Sequence, residues 1–417
     1  MYQFKTLSLD QFNEFSQIYP QASFVQSASM AQVHLDQGRQ VEAYGVEEQG
    51  KLVAAGLFSI RKVIAHYTIA QCNQGPLIDF GNPSLVEFFF DNVQIALKKH
   101  HCLHALITPN FEVYPRDING EIVGENDHLN WIDHLQKANV NHLGFDNGKI
   151  NGIGRWMFVK DLTTITNEDE LMLSFDHSTR KAIRKTIKDK IDVEELDVEQ
   201  LATFKQLSEI TAERRQFKDR SLSYYESLKR HFGEQCKVLI AQFDVKNYYA
   251  SLLSEQQQLQ EDIKSLEDHF FRQKASKKMT NRLSIAQDNL RVIDQRIAEA
   301  QDFKDRESIN IGGVIYTIHS NEMTALFAGN DAEFFGFNAT HAIHYVALKQ
   351  AVKQELTRFN FYGTQGPFCG IKDDGVYRFK KGFGGYVLEQ PGNFELIVNP
   401  FMNKLYRLIQ SIKSKKS

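Results

Sequence analysis

The sequence predicts a mixed α/β protein (α/β, α+β) built from two similar units, with an antiparallel coiled-coil hairpin inserted in the second. Three observations predict this class. Strand-like and helical apolar spacing alternate up to about residue 110, a second round begins near Arg155, and two heptad series run between Leu252 and Ala300. With 417 residues, the chain is long enough for two or three domains of about 150 residues each.

The first unit alternates short helices and strands. Helical segments have apolar residues every three or four positions, and strands are short apolar runs bounded by turn-forming residues. In chain order, we predict an amphipathic helix marked by Leu7, Phe12 and Phe15, a helix from Ser27 to Gln37, strands from Gln40 to Gly45 and from Lys51 to Arg61, a helix from Leu85 to His100 and a strand from Cys102 to Thr108.

The second unit repeats this alternation. In chain order, we predict a strand in RWMFVKDL, a helix in EDELMLSF, a helix from Leu201 to Arg215, a strand in KVLIAQF and, after the heptad segment, strands in IGGVIYTIH and MTALFAG. Two similar α/β units in one chain is therefore the economical interpretation.

Two seams of mostly apolar residues step alternately by three and four positions, which is the heptad spacing of a coiled coil. Residues 271–282 between the seams are basic and turn-prone, so the helices are expected to fold back as an antiparallel hairpin. At about 1.5 Å per residue, arms of roughly 25 residues would extend roughly 35 to 40 Å. The seams are Leu252, Gln256, Leu259, Ile263, Leu266 and Phe270, then Leu283, Ala286, Leu290, Ile293, Ile297 and Ala300.

The composition excludes several classes of protein. The formal charge of −3 gives the protein no overall positive charge for general nucleic-acid binding, so a polyanion must bind at a local basic patch. No run of about 18 apolar residues occurs, which excludes a transmembrane helix, and no secretory signal is recognisable, so we expect a cytoplasmic protein. The isolated cysteines are expected to be buried thiols in a reducing compartment. They are Cys72, Cys102, Cys236 and Cys369.

Motifs for metal, ester or nucleotide hydrolysis are missing from the sequence. It contains no H-E-x-x-H, no G-x-S-x-G and no G-x-x-x-x-G-K-[ST]. Zinc hydrolase, serine esterase and ATP-hydrolysing activities therefore lack support, and we expect neither a metal nor a cofactor.

Several segments resemble the FemABX aminoacyltransferases, and together they span nearly the whole chain. Near the start they are FVQSASMA, NQGPLIDF and HCLHALITPNFEVY, and after the hairpin they are RFNFYG and DDGVYRFKKGFGG. The hairpin is similar to that of the arm-bearing Fem and MurM/MurN branch, which distinguishes it from the FemX branch. The resemblance implies two GNAT-like acyltransferase domains, residues 1–150, on which the tail 396–417 packs, and residues 151–395, into which the coiled-coil arm 246–307 is inserted.

The resemblance also implies an activity: transfer of alanine, serine or glycine from aminoacyl-tRNA to an amine of a peptidoglycan precursor. The acceptor would be the stem-peptide lysine or the growing interpeptide bridge, on lipid II or a UDP-MurNAc-pentapeptide-type precursor. Peripheral contact with the inner membrane face and homo- or hetero-association are compatible with this activity. Two alternatives stay open, a non-catalytic cell-wall scaffold and an aminoacyl-tRNA-dependent transferase with a protein or peptide acceptor.

The YRFKKGFG stretch carries the cation of the implied transfer site. Phe379 and Lys380 match the Phe-Lys pair of the FemX branch, where a lysine ammonium would stabilise an oxyanion or hold a phosphate near the tRNA acceptor end. If the segment is a strand, Lys381 points to the opposite face and is the weaker candidate for binding tRNA or phosphate. Without the resemblance, these lysines would be interpreted as solvated strand charges.

The RSLSY segment carries the implied precursor-binding pair. Arg220 and Tyr224 match the Arg-x-x-x-Tyr pair that holds the anionic part of the precursor in FemX-type enzymes, a role that suits a guanidinium and a phenol. By sequence alone they would be a surface charge and a helix-packing residue. Two other substrate-binding positions depart from the family pattern, because Gln32 stands where a lysine is expected and Phe327 where a tyrosine is expected. Both losses agree with a lipid-linked acceptor.

A basic segment, TRKAIRKTIKDK, supplies further candidates for tRNA or phosphate binding. Arg180, Arg184 and Lys188 share one face at helical spacing, which suits a tRNA backbone or a pyrophosphate but also an ordinary solvated helix face. No general base for the reaction is identified from the sequence.

Two more basic segments have open interpretations. The hairpin tip either contacts RNA or anionic lipid or is a solvated turn, and its cations are Arg272, Lys274, Lys277, Lys278 and Arg282. The C-terminal KLYRLIQSIKSKKS combines Leu405, Leu408 and Ile412 with five basic residues, which is typical of a lipid-contacting helix or of a frayed tail.

Overall fold

The computed structural model of the protein describes residues 1–124, 128–145, 149–150, 153–272, 276–372 and 374–414. The strands are β1 Tyr2–Leu7, β2 Gln40–Glu48, β3 Lys51–Ile64, β4 Tyr67–Asn73, β5 Cys102–Thr108, β6 Val140–His142, β7 Lys149–Ile150, β8 Ile153–Gly154, β9 Trp156–Asp161, β10 Ile191–Glu195, β11 Cys236–Asp244, β12 Ser308–His319, β13 Glu322–Asn330, β14 Arg358–Gly363, β15 Tyr386–Glu389 and β16 Phe394–Ile397. The helices are α1 Leu9–Ile18, α2 Ala28–Asp36, α3 Pro83–Lys98, α4 Leu129–Lys137, α5 Glu168–Leu173, α6 His177–Lys188, α7 Leu201–Arg215, α8 Leu222–Phe232, α9 Val245–Arg272, α10 Lys277–Ala300, α11 Ala339–Lys353, α12 Gly375–Gly382 and α13 Pro400–Ser414.

The first sheet has the order β1-β2-β3-β4-β5-β16-β6, and its neighbours are antiparallel except for the parallel pair β4 and β5. Strand β16 comes from the far end of the chain and pairs with both β5 and β6. It begins at Phe394, so it crosses the predicted boundary at residue 395. Alternate residues of β3 face opposite sides of this sheet: Phe58 packs under α3, and Leu57 packs under α1.

The second sheet has the order β10-β11-β12-β13-β14-β9-β15. It also contains one parallel pair, β13 and β14. Helix α11 covers one face, where Tyr316 of β12 is buried, and helices α7 and α8 cover the other, where Ile315 is buried. Burying each such side chain contributes about 1.5–3 kcal/mol to folding. Two mixed sheets of this kind confirm the predicted mixed α/β class with two GNAT-like units.

Helices α9 and α10 pack against each other along their length as the predicted antiparallel hairpin. The expected break at 271–282 is too long, because α9 continues to Arg272 and α10 already begins at Lys277, where the Ser276 hydroxyl accepts a hydrogen bond from the Met279 backbone N–H and caps the helix. The base of the hairpin is part of the core of the second unit, since Leu252 and Ile293 are buried there. Of the five cations at the predicted tip, Lys274 lies outside the described residues.

The other helices and strands that were predicted occur close to their predicted positions. Leu7 is an exception: it was expected in the first helix but ends β1, where it pairs with Ala43. Cys369 is half-buried, in contrast to the other three cysteines, which are buried as expected. Among the described residues, no helix has the length and apolarity needed to cross a membrane.

The two units contact each other directly. Helix α2 of the first packs on α8 of the second. The Ser16 Oγ lies 2.8 Å from Nε2 of His319, and the Phe24 ring lies 6.4 Å from the ring of Tyr362. Residues of the two units can therefore contribute to one site.

Candidate active site

The parallel pair of the second sheet opens at its carboxyl end. Strand β13 runs to Asn330, but its pairing with β14 covers only Glu322–Thr324 opposite Arg358–Asn360. Beyond Asn360, the side-chain Oδ1 of that residue accepts a hydrogen bond of 2.8 Å from the Tyr362 backbone N–H, and Tyr362 adopts a left-handed φ of 63°. The local turn sends the end of β14 away from β13. This opening is where the predicted site residues meet.

Lys380 lies beside this opening on α12. The helix begins after Asp374, whose side chain accepts a hydrogen bond from the Val376 N–H. The Lys380 side chain is buried, and its Nζ donates to the backbone carbonyl oxygens of Tyr362 at 3.2 Å and Gly363 at 2.5 Å. Carbonyl dipoles thus compensate the desolvated ammonium, which is held in one position at the strand end.

The helical conformation of this segment corrects the strand that we considered for Lys381. On the helix, Lys381 lies next to Lys380 and turns toward the first unit, where its Nζ donates to Oδ1 of Asn119 at 2.6 Å. Tyr377, on the same helix, also contacts this part of the first unit: its hydroxyl donates a hydrogen bond of 2.8 Å to the Ile118 carbonyl oxygen. Lys381 therefore belongs to the contact between units, and Lys380 belongs to the cleft.

Two contacts fix the carboxyl end of α12. The N–H of Asp176, at the start of α6, donates to the Gly382 carbonyl oxygen at 2.9 Å, and the buried Nζ of Lys160 donates to the Phe383 carbonyl oxygen at 2.9 Å. Burial lowers the pKa of Lys160 to about 8. Lys160 was not among the predicted site residues, because a lysine within the strand-like RWMFVKDL gives no sign that it is buried.

Phe379 forms part of an aromatic wall behind Lys380. Its ring lies 4.8 Å from His341 and 5.4 Å from His344. Burial, followed by the charge of Lys380, lowers the pKa of His344 to about 3, and burial lowers the pKa of His341 to about 4. Both imidazoles are therefore neutral near pH 7, and His344 Nδ1 forms a hydrogen bond of 2.7 Å with the buried Tyr316 hydroxyl.

Arg220 and Tyr224 stand together at the start of α8. The Arg220 guanidinium lies 5.2 Å from the centre of the Tyr224 ring. The preceding Asp219 bonds to Lys205, Ser208 and Tyr225, which anchors the turn. Arg220 itself is exposed, and within the described ranges it forms no ion pair. Its charge is therefore available to an anion.

Tyr362 connects this pair with Lys380. Its carbonyl oxygen accepts the Lys380 hydrogen bond, and its ring packs against the same apolar cluster as Tyr224. Burial raises the pKa of the Tyr362 phenol, and the Arg220 charge opposes the rise. Phe327 extends the same surface, with its ring edge-on to Tyr224 at 6.0 Å. The only sequence signal for Tyr362 is its place in RFNFYG.

Arg39 is a residue of this cleft that the sequence did not identify. It is half-buried in the first unit, and burial, followed by the charges of Arg61 and Arg220, lowers its pKa. Its Nη1 donates to Ser59 Oγ and Gln71 Oε1, both at 3.3 Å, and both of these partners are neutral. The charge of Arg39 in the first unit is therefore within electrostatic reach of Arg220 in the second. The available signal was an arginine two residues after the predicted helix 27–37.

Some predicted positions are not brought into this cluster. Gln32 is half-buried in α2, and in the described part of the chain no hydrogen bond or ion pair joins it to the others. On α6, Lys188 pairs with Glu255 of the arm at 3.1 Å, so its charge is shared with a carboxylate. Arg184 is exposed, and Arg180 donates to the Leu173 carbonyl oxygen at 3.5 Å. Because α6 packs on α12, the two arginines lie on a neighbouring surface.

The parallel pair of the first unit, whose strands the structure describes in full, does not open in this way, because β4 and β5 stay paired to their ends at Asn73 and Thr108. The Gln26 side chain packs beside the end of β4: its Nε2 donates to the Asn73 carbonyl oxygen at 2.8 Å and its Oε1 accepts from the Leu57 N–H at 2.9 Å. A Cβ added at Gly75 would lie 2.6 Å from Gln26, so the packing here is tight. The open site belongs to the second unit.

Within the described residues, no group of three or more His, Cys, Asp or Glu side chains is arranged to hold a metal ion. The cleft offers instead a fixed ammonium, a guanidinium pair from two units and aromatic walls. Such groups stabilise negative charge on an acyl oxygen and bind phosphate.

Two GNAT-like units with one open, cationic site define a protein of the acyltransferase class. The chain belongs to the FemAB family, whose model matches residues 7–411. It is similar to aminoacyltransferase FemA of Staphylococcus epidermidis, with 26% identity over 98% of this chain and 99% of that protein, and to FemA of Staphylococcus aureus strain MRSA252, with 25% identity over 99% of both chains. A crystal structure of FemX shares the fold, with a TM-score of 0.76, 23% identity and coverage of 98% of this chain and 99% of that one.

Proposed function

We propose that the protein is an aminoacyltransferase of peptidoglycan bridge synthesis. It transfers alanine, serine or glycine from aminoacyl-tRNA to the stem-peptide lysine or the growing bridge of a lipid-linked precursor. The observation that carries the proposal is the position of Tyr362, which connects the Lys380 ammonium with the Arg220–Tyr224 pair. Membership of the FemAB family, with relatives named aminoacyltransferase FemA, supports the reaction class.

The reaction is aminolysis of an ester. The neutral acceptor amine attacks the ester carbonyl, a C–N bond forms, the C–O bond to the tRNA ribose breaks, and the amine proton passes to the leaving hydroxyl. Lys380 supplies positive charge for the oxyanion or for a phosphate at the tRNA end. The lowered pKa values of His341 and His344 keep both imidazoles neutral, so the lysine is the cation of this pocket.

Precursor binding falls to the other side of the cleft. Arg220 and Arg39 approach from different units, and a diphosphate or carboxylate between them would relieve their repulsion. Tyr224 and Phe327 add an aromatic surface next to these charges. Arg180 and Arg184 on α6 bind the tRNA backbone in this proposal. With a lipid-linked acceptor and charged tRNA as donor, the enzyme works at the cytoplasmic face of the membrane.

A transfer assay tests the proposal. Purified protein is incubated with lysine-containing lipid II and with tRNA charged separately with radiolabelled glycine, alanine or serine. Parallel reactions use precursor that already carries one residue, a UDP-linked precursor and a peptide acceptor. Label in a lipid product supports the proposal and identifies donor and bridge position. Label only in the peptide would favour a protein-acceptor transferase, and no transfer by folded protein beside an active control enzyme would favour a scaffold.

A further inference from the structure

Helix α13 presents an uncovered apolar stripe. Four large side chains face solvent along it: Phe401 is 78% exposed, Leu405 42%, Leu408 58% and Ile412 50%. At 100° per residue they fall within about 60° of the helix circumference. Single exposed apolar residues are ordinary on protein surfaces, but four in one row along a helix indicate a contact surface.

The other side of α13 is fixed to the first unit. Asn403 is buried, and its Oδ1 lies 2.8 Å from Nδ1 of His104 on β5. Arg407 forms an ion pair with the buried Glu395 of β16. The stripe therefore faces outward because the opposite face of α13 is packed on the first unit, and these contacts hold the helix in place.

The charged residues of the segment 400–417 itself have one sign. Residues 400–417 contain no Asp or Glu, although the whole chain carries slightly more acidic than basic residues. Lys404 is exposed beside the stripe. The basic residues of this segment are Lys404, Arg407, Lys413, Lys415 and Lys416, of which the last two lie outside the described residues.

We propose that α13 docks on an anionic lipid bilayer, lying in the plane of the membrane with the stripe Phe401, Leu405, Leu408 and Ile412 between the headgroups. An apolar row flanked by cations without acidic residues is the pattern of an interfacial helix. A nucleic-acid backbone would satisfy the cations but leave the apolar row uncovered. A symmetric contact with a second copy would bring two acid-free cationic helices together.

This surface lies outside the cleft and is independent of the aminoacyl transfer. Where both hold, docking keeps the open site of the second unit near a lipid-linked acceptor. The stripe is too short and too shallow to span a bilayer, so the contact is peripheral.

The test is vesicle co-sedimentation with the full chain and no tRNA or precursor. One vesicle preparation contains equal parts of phosphatidylglycerol and phosphatidylcholine, and the other phosphatidylcholine alone. The wild type should partition at least about tenfold more strongly onto the anionic vesicles, and salt raised from about 0.05 M to about 0.5 M should weaken the binding. The double variant Leu408→Ser/Ile412→Ser should lose at least about tenfold in partitioning.

The arm offers a matched control. Ile285 and Val292 are exposed apolar residues on one helix of the arm, at 60% and 56% exposure. The variant Ile285→Ser/Val292→Ser should bind vesicles like the wild type. The Phe401→Trp variant should bind normally and shift its tryptophan emission to shorter wavelength on anionic vesicles. All substituted side chains are exposed, so circular dichroism and melting temperature should not change.

Several outcomes would overturn the proposal. These are equal partitioning of the wild type onto neutral and anionic vesicles, unchanged binding of Leu408→Ser/Ile412→Ser, and an equal loss in the arm control. If light scattering shows that the wild type is a dimer and that Leu408→Ser/Ile412→Ser is a monomer, and neither binds vesicles, the stripe would be assigned to contact with a second copy instead. Because no substrate is present, these results do not depend on whether transfer occurs.

Discussion

Replacing Lys380 by methionine removes the cation at the open end of β14 while keeping an unbranched side chain of similar length. Lys380 is buried and donates to two backbone carbonyls, so the change also removes the donors of the Tyr362 and Gly363 oxygens. Two effects follow, one on the rate of transfer and one on stability.

Their magnitudes differ enough to be separated. Loss of one group that stabilises an oxyanion lowers kcat by about 10²–10³-fold, or roughly 3–4 kcal/mol. Leaving two carbonyl groups without their charged donor costs stability, but removal of a desolvated ammonium offsets part of that cost, so we expect a net loss of about 2 kcal/mol. For the second unit this corresponds to a fall in Tm of roughly 4–8 °C.

The assay compares kcat for label transfer with Tm for three proteins, the wild type, Lys380→Met and the matched variant Lys381→Met. The Lys381 ammonium is on the same helix but bonds to Asn119, so its loss should change kcat by less than about threefold and stability by less than about 1 kcal/mol. A Lys380→Met enzyme within about threefold of wild-type kcat would refute the assigned role. So would equal losses in the two variants.

Three further outcomes are expected. Arg220→Met should raise KM for the precursor by about 10–100-fold and leave kcat within about threefold, because an exposed guanidinium binds the anion without touching the reacting bond. Gly382→Ala should destabilise the fold by about 1–3 kcal/mol in urea unfolding, since the added Cβ would lie 2.2 Å from Oγ1 of Thr179. His344 has a folded pKa of about 3, below its unfolded value near 6.5, so the unfolded chain takes up the proton first and stability is lost as pH falls from about 6.5 toward 3. His344→Gln should reduce that slope by about 1.4 kcal/mol per pH unit.

Each of these has its own control. Arg230→Met changes another exposed arginine of α8 and should leave KM unaltered; an equal rise there would mean that the effect is general electrostatics. Gly375→Ala changes the first residue of α12, where an added Cβ meets nothing within 4 Å, and should be neutral or slightly stabilising. For His344→Gln, an acid slope identical to that of the wild type would contradict its assignment as a buried neutral imidazole.

The sequence predicted the arm and seven of the strands because these rest on local repetition. The seven are β2, β3, β5, β9, β11, β12 and β13. Each heptad seam repeats over nearly twenty residues, from Leu252 to Phe270 and from Leu283 to Ala300, and the apolar runs of β3 or β12 are continuous. Helix α12 was harder, because its eight residues include Tyr, Phe and two glycines, and it is fixed instead by the Asp374 cap and by packing on α6. Tyr and Phe favour a strand, but the cap and the tertiary contacts make this segment helical.

Parts of the site could not be derived from one sequence at all. Arg39 and Arg220 stand far apart in the chain, and their charges influence each other across the two units, which are joined where α2 packs on α8. The Gln26 amide bonds to the backbone of Leu57 and of Asn73, so its burial depends on its own segment and on two strands at once. By contrast, Phe379, Lys380, Arg220 and Tyr224 were identified through a family resemblance, and the structure places all four around Tyr362 or Lys380. Their roles stay predictions until the variants are measured.

The position of β16 has a consequence for biosynthesis. Val140 of β6 pairs with Leu396, so the inner edge of the first sheet stays unfilled until roughly 250 more residues have been translated. At about 5–20 residues per second, a nascent chain would wait some tens of seconds with β5 and β6 lacking their common neighbour. Completion of the first sheet therefore depends on translation of the second unit, and a chain truncated before position 394 lacks the strand that joins β5 to β6.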